Sequence, residues 1–222
     1  MLKSFLTKIQ YRLPWTYPAE IRGLIPKGST VLDVGCGNGH NMAWVNAYGD
    51  YKVTGIDINK KDLAIAKKRK CYIEKNKPVY EKLVIADLTK KTTFKKKFDV
   101  VVSSQLVEHL EKKDAFALIK KMEKWASKKI IVATINGFFQ FNHREVGEHD
   151  VHRSGWTTRE FKMMGYEVIG SGLRFVYKPG ALKDRLSDIL TPLLFLISYV
   201  LTPIIRVLHP MALLLISYKD IK

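Results

Sequence analysis

The chain has 222 residues, of which 46% are hydrophobic, and it carries a formal net charge of +17. This length and hydrophobic fraction are typical of one globular domain with a large core, and they exclude a disordered protein. The two cysteines, Cys36 and Cys71, lack metal-ligating neighbours at a recognised spacing, so we predict a reduced, cytoplasmic protein.

The N-terminal segment, 1–28, is predicted to form a helical cap on a single domain that spans 1–222. Met1 to Leu13 is short and amphipathic, and basic residues interrupt it, which argues against a signal peptide. We expect a helix over the mouth of a ligand site. A helix that lies on a membrane surface is the alternative.

The next segment is the most informative one. A predicted strand, 30–34, ends in a turn with three glycines, Gly35, Gly37 and Gly39; a helix, 41–47, and a strand, 52–57, follow. This order predicts a βαβ unit with a nucleoside site at its carboxyl end. Asp57, at the end of the second strand, suits a ribose diol. A dinucleotide fingerprint would place glycine where His40 stands, so a ligand without pyrophosphate is favoured.

Strand and helix patterns alternate through the rest of the chain. The predicted elements are helix 60–75, strands 82–86 and 98–103, helix 114–126, strand 129–135, helix 158–164, and strands 166–174 and 211–218. This alternation predicts an α/β fold with a doubly wound, seven-stranded, mostly parallel sheet.

Many of the lysines lie between Lys60 and Lys97. A basic surface of this kind attracts nucleic acid or an anionic membrane. Arginine and aromatic residues, which RNA-binding surfaces usually interleave, are sparse there, so a nucleic-acid partner is not favoured. Solvated helix faces explain the lysines equally well.

A hydrophobic helical insertion, 181–210, is predicted between the last two strands. Ile189 to Ile205 contains no charged residue. As a helix it would span about 25 Å, less than the core of a bilayer, and Pro192 and Pro203 interrupt it. If 211–218 is a strand of the sheet, a single crossing is excluded. We expect docking on a membrane face; a packed lid, a dimer contact and a tail anchor are the alternatives.

Several segments, in this order, resemble the motifs of class I S-adenosylmethionine-dependent methyltransferases. They are Val31–Gly39 with Thr54–Asp57, Leu83–Asp87, Phe98–Leu110 with its Glu-His-Leu ending, and Lys129–Thr134. The resemblance covers roughly residues 30–172. It implies a Rossmann-like sheet with a reversed last strand and S-adenosyl-L-methionine as the cofactor.

The resemblance also implies roles for individual residues. Asp33 would act on the ammonium end of the cofactor, and Gly35, Gly37 and Gly39 would lie beside its methionine part. The cofactor's nucleoside would be bound by Asp57 at the ribose hydroxyls, Ile58 at the adenine face, and Asp87 with the N–H of Leu88 at the adenine amino group. Ser103, at the end of the fourth strand, completes the predicted cofactor site.

Candidate catalytic residues are Glu108 and His109 after the fourth strand, and His149 and His152 in the loop after the fifth. His109 is either a general base or a structural histidine. His149 and His152 could bind the acceptor, act as a base, fix the loop or bind a metal with one acid. We predict that the site holds no metal.

These features predict methyl transfer to an O, N or C atom of a small or lipophilic acceptor. Candidates are a quinone or isoprenoid ring, a lipid headgroup or a lipid-linked sugar, reached at the cytosolic face of a membrane through 181–210. An RNA or protein methyltransferase and a non-catalytic binding module are the alternatives. Ser103 to Leu106, where base-amine methyltransferases carry an Asn/Asp-Pro-Pro-Tyr motif, counts against the methylation of base amines. The oligomeric state stays open.

Overall fold

The computed structural model describes residues 13–90, 92–139, 151–174, 193 and 196–221. Seven strands in these residues form one sheet in the order β3-β2-β1-β4-β5-β7-β6. The strands are β1 (Thr30–Val34), β2 (Lys52–Asp57), β3 (Lys82–Ile85), β4 (Phe98–Ser104), β5 (Ala126–Ile135), β6 (Glu167–Leu173) and β7 (Ala212–Asp220). Pairing is parallel among the first five strands, and β7 runs antiparallel to both β5 and β6. The predicted mostly parallel sheet with a reversed last strand is confirmed.

Helices cover both faces of the sheet. They are α1 (Tyr17–Gly23), α2 (His40–Val45), α3 (Lys60–Lys68), α4 (Lys112–Trp125), α5 (Thr158–Met163) and α6 (Thr202–Ile205), with 3-10 turns at Val107–His109 and His209–Met211. Residues 196–200 are also helical.

The alternation of side chains along each strand builds two cores. In β4, Val100 and Val102 face one core, which α1, α2 and α3 also line. Val101 faces the other core, which α4 and α5 line. Because β1 lies between β2 and β4, the order of the strands reverses at β1. At such a reversal, the carboxyl ends of the neighbouring strands open a crevice. We therefore expect a ligand site at the carboxyl ends of β1, β2 and β4.

Two predicted boundaries were wrong. Helix 60–75 ends at Lys68, because the chain becomes extended at Arg69 and Lys70 forms a β-bridge with Pro78. The lysine-rich pattern continues past this point, but the backbone N–H of Cys71 is already bonded to the carbonyl of Lys77. Strand 129–135 begins earlier than predicted, at Ala126, directly after α4.

The predicted insertion lies between β6 and β7, and the described part of it starts at residue 193. Its helical residues break at Leu201 between 196–200 and α6. Thr202 and Ile205 are buried, and the Arg206 guanidinium pairs with Glu20 of α1. Within the described residues, no helix combines the length and the apolar character needed to cross a bilayer. Residues 1–12 of the predicted cap and 181–192 of the insertion lie outside the described residues.

Candidate functional site

A turn of three glycines connects β1 to α2. Gly35, Gly37 and Gly39 all have positive φ angles, of 72°, 49° and 76°, a region that side chains rarely adopt. A Cβ on Gly35 would lie 2.6 Å from the side chain of Leu106, and one on Gly39 would lie 2.7 Å from that of Tyr80. A Cβ on Gly37 would meet no described atom within 4 Å. The turn is thus closely packed at both ends and open in its middle.

Asp57 fixes this turn from the end of β2. Its Oδ2 accepts a hydrogen bond of 2.8 Å from the backbone N–H of Gly37, and its Oδ1 accepts one of 2.8 Å from the N–H of Asn59. The carboxylate is half-buried and has further lone pairs for a ligand's hydroxyls. Ile58, the next residue, exposes its apolar side chain. A hydroxyl acceptor and an apolar surface therefore lie side by side at this point.

Asp33 is a buried acid in β1, with only 3% of the residue exposed. Burial raises the pKa of its carboxyl to about 7; a hydrogen bond of 2.7 Å from the Tyr80 hydroxyl opposes the shift, and the nearby charge of Asp57 adds to it. A buried carboxylate of this kind is destabilised until a positive charge approaches it. Perturbed acids at a crevice are typical of functional sites.

Three other predicted cofactor residues have local partners or lie in the core. Asp87 accepts hydrogen bonds from the N–H and the hydroxyl of Thr89, and this turn lowers the pKa of its carboxyl. Leu88 is buried, and its carbonyl accepts a hydrogen bond from Lys121. Ser103 is fully buried, on the β4 face that also carries Val101. Their contact with a cofactor stays a prediction.

Sequence reasoning missed a polar network at the end of β4. The Ser104 hydroxyl bonds to the hydroxyl of Tyr17 in α1 and accepts a hydrogen bond of 3.1 Å from the side-chain amide of Asn41. Burial raises the pKa of Tyr17. Gln105, next along the chain, has a φ of 60°, a strained value for a residue with a side chain. No sequence pattern signals backbone strain of this kind.

Glu108 is buried beyond the end of β4, with 2% of the residue exposed. Burial raises the pKa of its carboxyl to about 7, although Oε2 accepts a hydrogen bond of 2.8 Å from the hydroxyl of Thr134 in β5. Its Oε1 has no hydrogen-bond partner among the described residues. Its carbonyl accepts the N–H groups of Arg153 and Ser154, so the turn and the later loop are held together.

This contact brings three of the predicted catalytic residues together. The rings of His109 and His152 lie 4.8 Å apart between centroids, edge to face. The ligand atoms of Glu108, His109 and His152 all lie within 4.8 Å of one another. Burial lowers the pKa of His152, which favours the neutral imidazole. His149 lies outside the described residues.

The site thus has two parts at the carboxyl edge of the sheet. One is the glycine turn with Asp33, Asp57 and Ile58. The other is the acid–imidazole cluster, which consists of Glu108, His109 and His152. Residues 31–129, which include most of both parts, match the family model described as a methyltransferase domain.

Residues 31–129 form a class I S-adenosylmethionine-dependent methyltransferase domain. The family and the fold that the motifs predicted are therefore confirmed. Roles for individual residues are not tested by this match.

Two methyltransferases of known name are similar to part of this chain. The ubiquinone biosynthesis O-methyltransferase of Pelagibacter ubique (strain HTCC1062) is 34% identical over 113 residues, 50% of this chain and 43% of that protein. Phosphoethanolamine N-methyltransferase 3 of Arabidopsis thaliana is 32% identical over 102 residues, 44% of this chain and 19% of that protein. The chain therefore spans less than half the length of both relatives.

A solved structure extends the similarity of fold beyond the matched residues. The plantazolicin methyltransferase BpumL, in complex with SAH, aligns with a TM-score of 0.55 at 16% identity. The alignment covers 93% of this chain and 81% of that one. At this identity the likeness concerns the fold alone.

Proposed function

We propose that the chain is an S-adenosylmethionine-dependent methyltransferase that acts on a small or lipophilic acceptor at the cytosolic face of a membrane. The observation that carries this proposal is the hydrogen bond from the Gly37 N–H to Asp57. This bond holds a carboxylate, which can accept hydrogen bonds from ribose hydroxyls, against the open glycine turn. The relatives named for ubiquinone biosynthesis and for phosphoethanolamine support acceptors of the quinone and headgroup kinds.

The residues present fit S-adenosylmethionine. In the proposed mode, Asp57 accepts the ribose hydroxyls, Ile58 covers one face of the adenine, and the open middle of the turn at Gly37 admits the methionine part. Asp33, which lacks a cationic partner among the described contacts of its carboxyl, faces the ammonium group. Asp87 and Leu88 complete the proposed cofactor site at the adenine. Ser103, at the end of β4, is its remaining residue.

The cofactor supplies an activated methyl group with a good, neutral leaving group. The protein's own work is then to position the acceptor in line and to manage the proton that the acceptor loses. We assign the second task to Glu108, His109 and His152, and we extend the assignment to His149, which stands three positions before His152 in the sequence. Glu108 and Thr134 tie this cluster to the ends of β4 and β5, so the cluster holds a fixed place at the edge of the sheet.

An apolar face supports the lipophilic acceptor and the membrane contact. It comprises exposed side chains of the insertion: Leu193, Leu196, Ile197, Val200, Ile204, Val207 and Leu208. Among them, Val200 and Val207 are 66% and 70% exposed. Several apolar side chains exposed along one short segment indicate contact with a partner or a membrane, and the net charge of +17 favours an anionic membrane.

A groove joins this apolar face to the edge of the sheet. It has a volume of about 680 Å³ and runs from Val207 and Leu208, past Arg159 and Lys162 of α5, to Asn136, which directly follows β5. Apolar walls with two cationic side chains suit an amphiphile with an anionic head. The groove offers a lipid acceptor a binding surface that extends from the apolar face to the residue after β5.

The proposal is tested with cofactor labelled at the methyl group. The purified chain is incubated with lipid, RNA and protein extracts, and the labelled products are identified by mass spectrometry. We expect label in the lipid fraction, and much less of it with Asp57→Ala at the same low concentration of cofactor. Label confined to RNA or protein would favour an enzyme that uses the basic surface, and failure to bind the cofactor would favour a non-catalytic module.

A further inference from the structure

Glu108, His109 and His152 form a cluster that the backbone holds in place. Glu108 and His109 belong to the 3-10 turn after β4, and His152 belongs to the loop before α5. Backbone hydrogen bonds of 2.7 Å and 3.0 Å, from Arg153 and Ser154 to the Glu108 carbonyl, join the two segments. The main chain therefore holds the two segments side by side, which brings the three side chains within reach of one another.

Both imidazoles are oriented through the same ring atom. Nδ1 of His109 lies 3.3 Å from the carbonyl oxygen of Val151, and Nδ1 of His152 lies 2.8 Å from that of Phe139. A carbonyl can only accept, so each Nδ1 carries the proton and the lone pair of the neutral ring is on Nε2. A backbone carbonyl on one ring nitrogen is the usual support of a histidine that binds metal through the other.

The carboxyl of Glu108 is likewise oriented through one of its two polar atoms. Thr134 donates to Oε2 and orients the group, whereas Oε1 is buried without a hydrogen-bond partner among the described residues. A buried carboxyl oxygen without a partner costs free energy, and such atoms in native proteins usually have a role. A cation bound at Oε1 would provide the missing interaction.

We propose that Glu108, His109 and His152 bind one divalent transition-metal cation, in contrast to the absence of metal predicted from the sequence. One carboxylate and two imidazoles suit Zn²⁺, Mn²⁺ or Fe²⁺, whereas Mg²⁺ and Ca²⁺ prefer oxygen ligands alone. Three protein ligands leave positions open for water or for a substrate oxygen.

The site itself does not depend on the proposed function, but its use in catalysis does. If the chain methylates a hydroxyl, the cation would bind that oxygen and lower its pKa, so that the proton leaves to solvent before the oxygen is methylated. His109 and His152 would then act as ligands through Nε2 and not as bases.

The test uses metal binding by the full, tag-free chain without cofactor or acceptor. After treatment with a chelator, the protein is titrated with Mn²⁺ by electron paramagnetic resonance and with Zn²⁺ by competition against an indicator dye. We expect one site per chain. Glu108→Gln and His152→Gln should each weaken binding by at least about tenfold.

His209→Gln is the matched control. It removes an imidazole whose Nε2 lies 3.0 Å from the Arg206 carbonyl and which is not part of the cluster, so metal affinity should stay at the wild-type value. Glu108→Gln keeps an oxygen that can accept from Thr134, and its thermal unfolding without metal checks that it folds. Metal should raise the unfolding temperature of wild type and His209→Gln but not of Glu108→Gln.

Equal metal affinity in wild type and Glu108→Gln, or the absence of any Mn²⁺ or Zn²⁺ site in wild type, would overturn the proposal. If Glu108→Gln does not fold, His109→Gln takes its place in the same comparison. Because no methyl transfer is measured, these outcomes are distinct from a failure of the proposed function.

Discussion

The hydroxyl of Tyr80 donates a hydrogen bond of 2.7 Å to Asp33, a carboxyl buried in the first strand of the sheet. The Tyr80 ring also fills the space beside Gly39. One tyrosine thus supports both the buried acid and the glycine turn. Because burial raises the pKa of Asp33 to about 7, this acid should make folding stability depend on pH.

The first prediction follows from the sign of that shift. The folded chain holds the Asp33 proton more tightly than the unfolded chain, in which the pKa is about 3.9. The stability that the protonated acid contributes is therefore complete below about pH 4 and is lost as the pH rises through about 7. Asp33→Asn, which keeps an acceptor for Tyr80, should be more stable than wild type at pH 8, with a smaller difference at pH 5. Urea unfolding at several pH values measures this.

Asp99→Asn provides a control of opposite sign. The Lys128 ammonium and the N–H and hydroxyl of Thr30 hold the pKa of Asp99 down at about 2. Its contribution is present above the unfolded pKa and is lost as the pH falls toward 2. The variant should be less stable than wild type at neutral pH. If Asp33→Asn is less stable than wild type at pH 8, the interpretation that the buried Asp33 carboxylate destabilises the folded chain is wrong.

The second prediction concerns His109 in the acid–imidazole cluster. As a base or as a metal ligand, it acts on the acceptor and not on the cofactor, so His109→Gln should lower the rate by about a hundredfold or more. Cofactor affinity, measured by calorimetry with S-adenosylhomocysteine, should not change. Normal turnover by the variant would assign His109 a structural role in which its bond to the Val151 carbonyl holds the loop.

The third prediction is that the apolar face docks on an anionic membrane. Basic residues near the surface should each add about 1 kcal/mol, and apolar contact should supply the rest. Wild type should co-sediment with anionic liposomes, bind neutral ones less well and keep some binding in high salt. Replacing Leu196, Val200 and Val207 with serine should release it without loss of cofactor binding.

Ile65→Ser is the control for this experiment, because Ile65 is an exposed apolar residue of α3 outside the apolar face. It should co-sediment as wild type does. If wild type ignores liposomes and the triple variant unfolds or splits a dimer, the face is a packed lid or a subunit contact. The proposal of a lipophilic acceptor would then lose its main support.

Local patterns predicted the sheet and the first part of the site. The strand–glycine–helix–strand order and Asp57 lie within one short segment, so spacing alone placed the acid against the turn. The Tyr80–Asp33 and Tyr17–Ser104 bonds join residues 47 and 87 positions apart, and no local pattern encodes such pairs. The prediction of a helix over 60–75 was too long for a related reason. The helical pattern continues past Lys68, but the hydrogen bond from the Cys71 N–H to the Lys77 carbonyl holds the chain in a non-helical conformation there.

The most direct test of the account is calorimetry of S-adenosylhomocysteine binding to wild type and Asp57→Ala. The account predicts that wild type binds one molecule per chain. Loss of the ribose acceptor leaves buried hydroxyls unpaired at about 1–3 kcal/mol, so the variant should bind roughly ten- to hundredfold more weakly. Asp62→Ala, which removes a neighbouring carboxylate at the start of α3, should bind as wild type does. Equal affinity in wild type and Asp57→Ala, or no binding by wild type, would contradict the account.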